Sequence, residues 1–101
     1  MRLRTAIAKL LAHERVCRLA TAGTDGVPHV VPVCHALADG KIYFGTGKGS
    51  TKAHHLRANP HLAIVVDLYS EDWGLLKGVL VQGTAKLIEH GPQFRKIRAL
   101  L

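Results

Sequence analysis

The chain has 101 residues, enough for one domain, and 48% of them are hydrophobic, which excludes a disordered polypeptide. Lys and Arg total 14 against 7 Asp and Glu, and the net charge of +7 favours anionic partners such as nucleic acid, phosphorylated cofactors or acidic lipid. No apolar run approaches the ~18–20 residues of a membrane span, and Lys9, His13 and Glu14 break any signal-peptide core, so the chain reads as cytoplasmic with no membrane partner.

Leu3, Ile7, Leu10 and Leu11 recur at helical spacing and predict an opening amphipathic helix. Val16–Thr21 alternates and reads as a strand; Ala22–Gly26 is a turn with Asp25-Gly26 at positive φ; Val27–Leu37 is the second strand of a hairpin. Ala38-Asp39-Gly40 turns the chain into a third strand, Lys41–Thr46. The glycine-rich loop Gly47–Ser50 leads to a short helix with Ser50 as N-cap and Asn59-Pro60 as its stop. His61–Tyr69 reads as a strand buried on both faces, Ser70–Gly74 as a loop carrying Trp73, and Leu75–Ile88 as a long strand bent at Gly83. His90-Gly91-Pro92 breaks the chain before a last helix, Gln93–Leu101, with Phe94, Ile97 and Leu101 on one face. Hairpin-connected strands disfavour a doubly wound parallel sheet, and five short strands in a mainly β chain predict a small antiparallel barrel with flanking helices.

The stretch from Tyr43 to Pro60 carries the clearest chemistry. A helix N-terminus offers free backbone N–H groups and the positive end of a dipole, a ready anion site. Gly47 and Gly49 let the backbone approach a ligand, Ser50 and Thr51 add hydroxyls, and Lys52 adds a cation where a bare helix disfavours one. A plain N-cap followed by a solvated lysine fits the local pattern equally. The spacing of a Walker A loop is absent. Pro28 and Pro32 remove N–H donors from one side of the second strand, which makes that side an edge, a bulge or a ligand-facing wall. Cys17 and Cys34 form no CxxC and are expected as buried free thiols. His54 and His55 are adjacent and no HxxxH occurs, so no metal site is expected.

Six segments in order resemble the pyridoxamine 5′-phosphate oxidase-like, FMN-binding split β-barrel superfamily. They are Arg15–Thr21, Gly26–Val33, Ile42–Thr46, Gly49–Ala53, Leu56–Pro60 and Val79–Ala85, so the resemblance runs from about Leu11 to Ile88. It implies a single flavin-binding domain over 1–101, a homodimer with the cofactor at its interface, and hydride transfer to an unknown small substrate. Ser50, Thr51 and Lys52 match the oxidase's phosphate-binding Ser-Arg-Lys, and Thr46 matches a Thr on its third strand. Val31, Pro32, Val33 and Cys34 fall on the strand that lines the isoalloxazine ring. Thr51 stands where the oxidase has Arg, with Lys48 as a substitute cation, and Gly78 stands where it has a ring-contacting Gln. The chain also ends where the family usually continues into a further strand, the part that carries the oxidase's substrate residues; oxidation of pyridoxine phosphate is therefore not expected, and the chain is a minimal member or a fragment.

Asp67–Trp73 resembles a deazaflavin-dependent subgroup, whose coenzyme F-420 shares the ring shape and a phosphate; Trp73 would cover the ring from the partner subunit, or simply fill a hydrophobic contact. Haem-binding relatives make His35 or His54 the candidate axial ligand in a non-catalytic alternative. No acid or base is assigned. A nucleic-acid-binding barrel is the weakest alternative, because only Tyr43 and Phe44 lie near a basic cluster.

Overall fold

The structure, a computed structural model, describes residues 5–101. Leu3 lies outside the described residues. Helix α1 (Thr5–His13) buries Leu11 and packs Ile7 and Leu10 against the sheet, as their spacing on one face requires. Strand β1 (Val16–Ala22) follows, then β2 (Pro28–Ala38), β3 (Lys41–Phe44), helix α2 (Thr51–Ala58), β4 (His61–Leu68), a single 3-10 turn (Trp73–Leu75), β5 (Lys77–Thr84) and helix α3 (Pro92–Leu100).

The five strands form one antiparallel sheet in the order β3-β2-β1-β4-β5, the half-barrel of a split β-barrel. In the β1–β2 turn Gly26 alone takes positive φ, 75°, and Asp25 serves through its side chain instead, its Oδ1 accepting the Val27 N–H at 3.1 Å. Asp39 (φ 53°) and Gly40 (φ 72°) make the two-residue turn between β2 and β3; both must be left-handed for the strands to keep their twist. Alternation assigns the two faces. Cys17 and Leu19 of β1, Val33 of β2, and Ile64 and Val66 of β4 point inward and form the core with Leu11. The outward face carries Val16, Arg18, Val30, Pro32, Cys34 and Leu80, all exposed.

Several elements depart from expectation. Strand β4 is buried on its inward face alone; Ala63 and Val65 are only half-buried, because nothing among the described residues covers the outward face. Cys34 is exposed for the same reason, while Cys17, one position away in register and of opposite parity, is a buried free thiol. Strand β5 ends at Thr84 rather than Ile88. Thr84 lies opposite His61, the first residue of β4, so no partner remains beyond it. The Ala85 N–H goes instead to the Pro60 carbonyl at 2.8 Å, and 85–90 is irregular. Leu75 belongs to the 3-10 turn rather than to β5. Helix α3 starts on Pro92, whose missing N–H costs nothing at a first helical position. Ile97 is buried and Phe94 half-buried on its inner face, whereas Leu101 stays exposed. Among the described residues no helix is long and apolar enough to cross a membrane.

Candidate functional site

Helix α2 begins where the sequence places it. Ser50 is in extended conformation (φ −72°, ψ 157°), and its Oγ accepts the Ala53 N–H at 3.2 Å. The Ser50 N–H closes a turn onto the Gly47 carbonyl at 3.1 Å. Ser50 Oγ also lies 2.7 Å from Thr46 Oγ1. Since Ser50 Oγ accepts from Ala53, its proton is free to go to Thr46, whose own hydroxyl reaches the Gly47 carbonyl only at 3.4 Å. With Ser50 as the donor of that pair, the Thr46 proton is only weakly engaged; with Thr46 as the donor, Ser50 Oγ accepts from both Thr46 and Ala53. The Thr51 and Lys52 N–H groups occupy the first turn, where no intrahelical acceptor exists. No acidic residue lies in that turn, so the positive end of the helix is uncompensated by the chain itself. Lys48 and Thr51 are exposed and Lys52 is half-buried.

The rest of α2 is anchored by contacts that the sequence pattern did not signal. Ala53 and Leu56 are buried beneath it. The His55 Nδ1 lies 3.0 Å from the hydroxyl of buried Thr21, and its ring meets His29 edge-on at 5.7 Å between centroids. The Asn59 side chain donates to the Ala22 carbonyl at 3.2 Å. Asn59 does more than stop the helix: it ties the end of α2 to the end of β1. The short range of Thr21, His29 and His55 in space follows from the β1–β2 register, which pairs Thr21 with His29.

Beside this loop β2 is half open. Strand β3 pairs with His35–Ala38 alone, so 28–34 has β1 on one side and, among the described residues, no strand on the other. The His35 N–H points to the Arg15 carbonyl at 3.0 Å, on the β1 side. By alternation, Pro28 and Pro32 face the open side, where their missing donors disrupt nothing. The free backbone groups there belong to Val30 and Cys34, with the carbonyls of both prolines. Side chains divide between the faces: Val33 is in the core and Val31 packs against it, while Pro32 and Cys34 stand outward. Val31 and Val33 thus turn their side chains to the core and their backbone groups to β1, and offer the open side neither. Beyond Phe44 the chain leaves β3 at the level of His35 and passes into Gly45–Thr46, which sets the loop next to the open edge.

The structure does not bring Trp73 to this site within one chain. It sits 76% exposed at the β4–β5 tip, across the sheet from β2. His35 is fully buried with Nε2 2.7 Å from the Leu11 carbonyl, so it cannot serve as an axial haem ligand as it stands; His54 is exposed on α2. Among the described residues no three His, Cys, Asp or Glu stand together as a metal site. Two shallow concavities lie elsewhere: about 190 Å³ beside Leu11, Arg15 and Leu100, and about 480 Å³ beside Arg57, Lys86 and His90.

The fold has counterparts. The family model described as pyridoxamine 5′-phosphate oxidase matches residues 3–100. The chain belongs to this family. Among solved structures, a conserved hypothetical protein from Mycobacterium tuberculosis is similar to this oxidase-family chain at 28% identity and TM-score 0.89, over 99% of this chain and 62% of that one. A FAD-binding protein from Mesorhizobium loti is 30% identical with TM-score 0.79, over 93% of this chain and 67% of its own. A haem storage protein from Vibrio cholerae shares the fold at 18% identity and TM-score 0.81, over 98% of this chain and 72% of its own. No curated protein matches the sequence. The oxidase-family chain therefore has the split-barrel fold in which flavin-binding and haem-binding neighbours both occur.

Proposed function

We infer that the protein binds FMN and serves as a flavin-dependent oxidoreductase, as a homodimer with the cofactor between subunits. The observation that carries this is the α2 N-terminus: a hydroxyl pair at 2.7 Å, two free amides and Lys52 belong to a first turn with no acidic residue, and Lys48 lies in the loop that leads to it. Such a set suits a phosphate monoester, whose oxygens accept several charge-assisted bonds. The open β2 edge, one strand away, offers backbone donors and acceptors for the polar rim of a flat ring. The cofactor supplies hydride chemistry; the chain's residues grip the phosphate, orient the ring and exclude water. Thr46 donates to the phosphate once it turns from the weak Gly47 contact, and Ser50 holds Thr46 and the helix end in place.

The same anchor would accept the deazaflavin coenzyme F-420, which also carries a phosphate. For haem, His35 is buried and engaged through Nε2, which leaves exposed His54 as the candidate axial ligand. The test is competition between FMN, riboflavin, a deazaflavin and haemin for the apo-protein. FMN should bind far more tightly than riboflavin. Equal affinity for those two refutes the phosphate anchor, and tight haemin binding alone replaces the redox reading with a haem-handling one.

A further inference from the structure

The hollow at the C-terminal end of α2 combines features that the cofactor reading leaves unused. It measures about 480 Å³, inside the range of about 300–1,000 Å³ that small-molecule sites occupy. The last turn of α2, the irregular segment after β5 and the start of α3 build it together. The Ala85 N–H, bonded to the Pro60 carbonyl at 2.8 Å, holds the irregular segment against the end of α2. Arg57 and Lys86 bring two positive charges to this one hollow, and His90 adds an imidazole. Like charges gathered in one place repel each other, and an anion between them relieves the repulsion. Glu89 is the one acidic residue on the wall, and among the described residues neither cation forms an ion pair with it. The rest of the wall is apolar: Leu87 stays 37% exposed there, with Ile88 half-buried beside it. Arg57 alone needs no ligand, since a cation suits the last turn of a helix. That reason does not extend to Lys86 or to exposed Leu87, which belong to no helix or strand.

We propose that this hollow is a second binding site, one for a phosphorylated nucleoside. The phosphate oxygens go to Arg57, whose planar guanidinium offers two parallel N–H donors, and to Lys86 as a point charge. His90 donates a further N–H to them. Glu89 repels phosphate and so serves the other end of the ligand, accepting from a sugar hydroxyl or an exocyclic amine, while the base lies on Leu87 and Ile88. The site is separate from the phosphate anchor proposed above. Arg57 stands in the last turn of α2 and Ser50 caps its start, ends that a rise of 1.5 Å per residue sets roughly 10 Å apart. That is about one Debye length in 0.1 M salt, so anions bound at the two ends hardly oppose each other. Both can be filled at once, and neither assignment depends on the other.

Equilibrium dialysis against ADP, with and without saturating FMN, tests it. One ADP should bind per chain in both cases. Arg57→Gln and Lys86→Gln change exposed side chains and should leave the fold intact. Each should weaken ADP binding by roughly tenfold or more, as the loss of one charged contact does, while Lys52→Ala leaves it unchanged. Adenosine and inorganic pyrophosphate each keep only part of the contacts and should each bind roughly tenfold more weakly than ADP, or weaker still. ADP that FMN displaces, or that Lys52→Ala weakens, is bound at the start of α2 instead and overturns the second site. Pyrophosphate held as tightly as ADP reduces the hollow to a patch of charge and overturns the nucleoside assignment. No retention of ADP at millimolar concentration, or retention that neither Arg57→Gln nor Lys86→Gln alters, overturns the site outright.

Discussion

Leu19 is fully buried at the centre of the sheet, between Val31 and Ile64 in register. Leu19→Ala should cost about 2–5 kcal/mol, since the surrounding strands cannot collapse onto the cavity. Urea denaturation should show a lower midpoint with an unchanged slope. Cys17 is the other informative core position. Burial pushes its thiol above the ordinary value; a backbone hydrogen bond opposes this in part, and Cys34 adds to it. The folded state then holds a proton that the unfolded chain gives up earlier. Stability is complete below the unfolded thiol pKa of about 8.5 and declines as pH rises from there through the higher folded value. Thermal melts between pH 7 and 10 should show that decline, and Cys17→Ala should flatten it.

At the scale of elements, α2 separates two roles that the sequence places side by side. Lys52→Ala should weaken FMN binding by roughly tenfold to a hundredfold, the worth of one charge-assisted contact of about 1.5–3 kcal/mol. Its melting temperature should hardly move, because among the described residues no carboxylate pairs with this lysine. Ser50→Ala should lose both, with about 1 kcal/mol of stability going with the cap. Parallel titrations and melts of the two variants check this; equal behaviour would mean that the loop is structural only. The helix, its cap and its stop were legible because Ser50, Asn59 and Pro60 act through local backbone chemistry. The two turns at Gly26 and Asp39-Gly40 were legible for the same reason. The ends of β5 and the exposure of Cys34 were not. Both depend on which strand lies alongside and on which face has a second layer, and neither is encoded in a local period. The seat of α2 on Thr21, His55 and Asn59 escaped for a similar reason: those residues are distant in sequence and meet only through the register.

The whole molecule is broader than one domain needs. Its radius of gyration is 14.2 Å, where about 13 Å is usual for 100 residues. Light scattering at micromolar concentration should give twice the chain mass, and the melting temperature should rise with protein concentration, as it does when association is linked to folding. A concentration-independent melt at the monomer mass would contradict the dimer. In the single chain the open side of β2 faces water, and that has a consequence while the chain is being made. A bare strand edge recruits any other extended chain, including partly folded copies emerging at the same time. Pro28 and Pro32 stand on that side, and each blanks one rung of the ladder an intruder would need. They act as gatekeepers against runaway strand addition, while the carbonyls between them remain free for a small planar guest that does not ask for a continuous ladder. Pro32→Val should therefore fold and bind cofactor, yet refold with visible turbidity and a rise in thioflavin fluorescence where the unaltered chain stays clear.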